Sequence, residues 1–177
     1  MIEHPATPLT WPLDTDEPFE DAQSIVDLDD DHIRKGSLNG VQIKEADLKN
    51  ISLENMNFSR VDLSWADLSG SNLRGTNFIC AILRYANLKN ANLLGAELYG
   101  ADLRNADLSH CNLVSADLND VSLQHSKLEH ANMRGLVLSD TSMFDAYMKN
   151  ANLCGADMTG AELEGADMRG VYLEKAL

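Results

Sequence analysis

The chain has 177 residues, with 28 Asp and Glu against 14 Lys and Arg, for a formal net charge of −14. That is one domain's length with an ordinary apolar fraction of 44%, and the negative balance disfavours direct binding of nucleic acid. No stretch approaches the ~20 apolar residues of a membrane helix, and the start has neither the basic residues nor the apolar run of a secretory signal; the expected compartment is the cytoplasm.

Residues 1–35 read as a separate acidic segment. They hold all four prolines and ten acids against two bases, with no sustained period. Trp11, Leu13, Phe19, Ile25, Val26 and Leu28 are among its apolar residues, and they are candidates to cover the near end of the unit that follows.

From residue 36 to 177 a period of five takes over. Between Ala86 and His110 the chain reads ANLKN ANLLG AELYG ADLRN ADLSH. On an α-helix a step of five turns a side chain through roughly 140°, which would smear the leucines around the cylinder. In a flat strand an odd step throws successive leucines to opposite faces. A right-angled turn at the end of each block removes both conflicts: every Leu then points to one axis, and four blocks close a square of 20 residues, the mark of a β-solenoid. The block centres from Leu38 to Leu173 are Leu, Ile, Phe or Met at all 28 consecutive positions. Two residues before the centre stands Ala in 15 of the 28 blocks, a small side chain that shares the interior. Two residues after it stands Gly, Asn or Asp in 18, the types that tolerate positive φ in a tight turn.

These blocks resemble the pentapeptide-repeat family, whose consensus is A(D/N)LXX, over about four-fifths of the chain. The resemblance implies an all-β fold, a right-handed quadrilateral parallel β-helix. Seven turns at the ~4.8 Å spacing of neighbouring strands give a rod of about 34 Å. Taking every fourth block as one side stacks Phe58 on Phe78, between Leu38 and Leu98, with Leu118 continuing the core. Met143, Met148, Met158 and Met168 gather toward the far end, where no C-terminal cap is visible in the sequence. Leu163, Met168 and Leu173 would line that end and favour end-to-end homodimerisation, as in several members of the family, although a frayed last turn is the competing outcome.

Nothing in the chain spells an enzyme. It has no GxSxG, GxxxxGK[ST] or HExxH, and carboxylates such as Asp47, Asp67 and Asp107 project outward from a convex rod. No cofactor or metal site is expected. Cys111 falls at an inward position and Cys80 and Cys154 at outward ones on different sides, which gives no disulfide or metal quartet. His110 and His130 share a corner one turn apart with no Cys, Asp or Glu beside them there. Asn72, Asn92, Asn112, Asn132 and Asn152 form an outward column in which stacked amides hydrogen-bond along the rod.

Function is expected in departures from the repeat. Trp65 and Tyr85 occupy one corner in adjacent turns, with Ile79, Cys80, Ile82 and Tyr99 on adjoining sides, while Val137, Phe144 and Tyr147 form a smaller group further on. Clustered outward aromatics are the usual anchors of a protein interface; their other role is to shield the turns or lie under the N-terminal segment. The expected function is a non-enzymatic protein-interaction scaffold with a protein partner. The alternative implied by the resemblance is a DNA mimic that binds DNA gyrase and protects it from quinolones. DNA carries about one charge per 1.7 Å, so 34 Å of duplex would carry about 20. Residues 1–35 hold −8 of this chain's charge and residues 36–177 only −6, which is a poor match.

Overall fold

The structure, a computed structural model, describes residues 43–177. Its backbone bridges are all parallel and all join residues 20 apart, from Asp47 with Asp67 to Asn152 with Tyr172. The chain thus returns to the same lateral position every fourth block. Each block spends one bond on its own turn and the rest on its neighbours along the axis. Ala66 N–H donates to Leu63 O at 3.0 Å within the turn, Leu63 N–H to Ile82 O at 2.7 Å in the next turn of the rod, and Asp67 N–H to Ala46 O at 2.9 Å in the previous one. The expected cap formed by Trp11 through Leu28, and the first centre, Leu38, lie outside the described residues.

The corner chemistry follows from φ. Every fifth residue from Glu45 to Lys175 has positive φ, between 53° and 74°, as the third position of a type II turn requires. Nine of them are Gly, which adopts that conformation without strain. At Gly165 an added Cβ would also meet the Asp145 carboxylate one turn back, and that side chain would have to move aside.

The position before each centre shows why Asp and Asn suit it. Asp67 Oδ1 accepts the N–H of Ser69 at 3.0 Å, Asn77 that of Ile79 at 2.9 Å, and Asp107 that of Ser109 at 3.0 Å. These are Asx contacts to the backbone two residues on, which hold the entry to the turn. Small polar residues inside the rod are satisfied in another way: Thr76 Oγ1 donates to Leu53 O at 2.9 Å, and Cys111 Sγ to Leu88 O at 2.8 Å. The core is the stack of centres. Phe58 and Phe78 lie 5.4 Å apart with their planes within 11°, and Leu98 and Leu118 are fully enclosed beyond them.

One stretch breaks the ladder. Five inter-turn bonds that the repeat makes elsewhere are missing, namely those from the N–H groups of Ser115, Leu118, Asp120, Val137 and Ser142, and Asp117 is not bridged to Val137. A cavity of about 250 Å³ opens there between residues 115–119 and 135–137. Leu136, buried where most blocks have Ala and one turn from Ala116, stands at this breach. Thr141 Oγ1 is left buried without a partner, since the carbonyl equivalent to that used by Thr76 belongs to Leu118, on the far side of the breach.

Toward the C-terminus burial fades. Met158, Leu163 and Met168 are half-buried, and Leu173 is 45% exposed.

Candidate protein-interaction surface

Trp65 and Tyr85 lie at the corner between the sides centred on Leu63 and Leu68, one turn apart. Their φ angles are 65° and 59°, a conformation that costs a non-glycine residue roughly 1–2 kcal/mol. Because corners repeat along the axis, the rings fall face to face, with centroids 4.2 Å apart and planes within 7°. Trp65 is 36% exposed and Tyr85 half-buried. Ile82, 39% exposed, leads into this corner on the same side.

The remaining apolar residues do not join that stack. Half-buried Ile79 and exposed Cys80 and Tyr99 sit at the preceding corner, where the Asp120 carboxylate holds the Tyr99 phenol above its ordinary pKa. Phe144 meets His125 edge-on, 5.9 Å between centroids and 89° between planes. Tyr147 is exposed on the side centred on Leu68, three turns beyond Tyr85, and Val137 is exposed on another side.

Between Ile82 and the stacked corner lies a charged cluster that the periodicity alone does not single out. Arg84 Nε donates to Asp102 Oδ2 at 2.5 Å, and Arg104 grips the same carboxylate with Nε at 2.8 Å and Nη2 at 2.7 Å. Alongside is a depression of about 380 Å³ lined by Arg84, Tyr85, Arg104, Asn105, Gln124 and His125. The signal for it is present in the sequence as arginines exactly one turn apart just after the centre, a register that stacks them on one side.

The other expected groupings resolve as follows. In the Asn column, Asn92 donates to Asn72 at 3.4 Å, Asn112 to Asn92 at 3.3 Å and Asn132 to Asn112 at 3.3 Å. The step to Asn152 is not made: Asn132 Oδ1 is buried without a partner, while Asn152 Oδ1 accepts from Cys154 N–H as Asn92 and Asn112 accept from the N–H two residues on. His110 and His130 stack at 4.8 Å with planes within 4°. No group of three or more metal-ligating side chains occurs among the described residues. Burial pushes the Cys111 thiol up to about 12, which keeps it protonated and inert, whereas Cys80 is exposed.

A sequence profile described as pentapeptide repeats matches in eight copies over residues 37–75, 57–95, 96–135 and 137–174. The chain belongs to the pentapeptide-repeat family, whose members are right-handed β-helices and are generally structural or interaction proteins rather than enzymes. No curated protein sequence matches it. Among solved structures it is similar to HetL, a pentapeptide repeat protein involved in heterocyst differentiation regulation in the cyanobacterium Nostoc sp. strain PCC 7120, at 26% identity over 82% of this chain and 91% of that one, with a TM-score of 0.41. A pentapeptide repeat protein of the Arabidopsis thaliana thylakoid lumen is 30% identical over 70% of this chain and 66% of its own, with a TM-score of 0.40. QnrB1, a plasmid-mediated fluoroquinolone resistance protein, is 21% identical over 75% and 70%, with a TM-score of 0.41.

Proposed function

We propose that this protein is a non-enzymatic interaction scaffold of the cytoplasm: residues 36–177 form a quadrilateral β-helix of about seven turns, preceded by the acidic segment 1–35, and a protein partner docks on the Trp65/Tyr85 corner. The observation that carries this reading is the stacked aromatic pair itself. Two large rings stand at corner positions that the repeat fills most often with Gly, Asn or Asp, and clustered outward aromatics are the usual anchors of a protein interface. The pair is rigid and partly wet, and Ile82 widens it into an apolar strip. Ile79 and Tyr99 flank the strip, and Phe144 and Tyr147 supply a second, smaller contact. Two copies of the chain meet end to end through Leu163, Met168 and Leu173.

The test is affinity capture from the native host with Trp65→Glu and Tyr85→Glu beside the wild type. The expected result is a protein band lost from both variants while circular dichroism and melting stay unchanged. Equal recovery of every band by folded variants would exclude the corner.

Gyrase protection is favoured by one observation, the net charge of −14. The described rod carries 18 acids and 12 bases, −6, and several of its acids are occupied by Arg or Lys partners. The expected outcome of a gyrase supercoiling assay at micromolar protein is no effect.

A further inference from the structure

The depression beside the stacked corner is lined by two arginines on a molecule of net charge −14. Its lining consists of Arg84, Tyr85, Arg104, Asn105, Gln124 and His125, and no acid is among them. Asp102 lies against both guanidiniums but neutralises only one of the two. Arg84 spends Nε alone on Asp102, and its two Nη groups donate to nothing among the described residues. Arg104 has already committed one bidentate edge. The side chains of Arg84 and Arg104 are 46% and 40% exposed, so their spare donors reach solvent. His125 faces Asp145, with Nδ1 3.6 Å from Oδ2, and Asn105 and Gln124, whose Oε1 is buried without a partner, complete the rim.

We infer that this depression receives a carboxylate side chain of the docking partner, an Asp or Glu adjoining the apolar group that covers Trp65 and Ile82. The free Nη edge of Arg84 has the planar fork that pairs with a carboxylate through two parallel hydrogen bonds. A single carboxylate matches the one guanidinium fork left open, that of Arg84. A polyanion would meet the rod's own negative field outside the depression. Tyr85 forms one wall of the depression and half of the aromatic stack, which makes the charged and apolar contacts continuous. The inference rests on the docking surface proposed above and adds the chemistry of what docks.

The experiment is a titration of the full ¹⁵N-labelled chain with the capped peptide acetyl-Glu-Leu-Glu-amide, followed through the Arg84 and Arg104 Nε–H signals and the Trp65 indole N–H. The expected result is a saturable shift at all three. Binding should weaken by about tenfold or more with acetyl-Gln-Leu-Gln-amide, or with the glutamate peptide on an Arg84→Gln/Arg104→Gln variant read at the indole. Arg84→Lys should bind in between, since it keeps the charge and loses the fork. Equal shifts from the glutamine peptide, no saturable shift, an unchanged double variant, or tighter binding of inorganic phosphate than of the glutamate peptide would each overturn the carboxylate site. Such a failure leaves the Trp65/Tyr85 capture result standing, because that experiment reads the aromatic pair and not the arginines.

Discussion

A side chain on this rod is judged by which of the five block positions it holds. At the position before the centre, Asp and Asn look in sequence like a loose acidic ladder, yet most of them fasten their own turn. The period reveals that they point outward; it does not reveal the hydrogen bond to the N–H two residues on, which depends on side-chain length and turn geometry. Asp167 shows the electrostatic consequence. Arg169 hydrogen-bonds its carboxylate through Nε at 2.8 Å and Nη2 at 2.6 Å, and this holds the Asp167 pKa at about 2 against an ordinary 3.8. The folded pKa lies below the unfolded one, so the stabilisation is complete above the ordinary value and is lost as pH falls through about 2. Arg169→Gln should return the Asp167 titration toward 3.8, read by carboxyl ¹³C NMR; an unmoved midpoint would assign the shift to the backbone contact alone.

At the scale of one turn, the rod is as regular as its small interior slots. Most hold Ala, and except at Ala116 the ladder closes there. Leu136 is visible in the sequence as a departure, but its place at the breach is legible only once Ala116 is known to lie one turn away and Leu118 O is known to be the acceptor that Thr141 needs. Leu136→Ala should close the breach. Amide exchange at Leu118 and Val137 should slow to the rate of neighbouring turns. The loss of stability should fall short of the roughly 2–5 kcal/mol usual for truncating a buried Leu, because each restored backbone bond offsets about 0.5–1.5 kcal/mol. Unchanged exchange at those two amides would show that Leu136 is not the cause. The aromatic pair Phe58 and Phe78, by contrast, was fully legible, since a 20-residue step is all that their stacking requires.

For the whole molecule, repeat and function separate. The 20-residue return and the Trp65/Tyr85 juxtaposition follow from spacing alone. The Arg84/Arg104 depression does not, because spacing sets the arginines on one side but not which of them shares Asp102 or what hollow they leave. The end of the rod supplies one prediction at this scale. Wild-type protein should sediment as a dimer and Leu173→Glu as a monomer; equal masses would remove the end-to-end contact. The central claim is that the outward aromatics serve a partner and not the fold. It is tested by returning the departures to the repeat in one variant, Trp65→Asn, Ile82→Asp, Tyr85→Asn and Tyr99→Ser, and by measuring its melting temperature together with partner capture. Melting at or above the wild-type temperature with the partner lost is the predicted result. A destabilised rod that still captures the partner would contradict it.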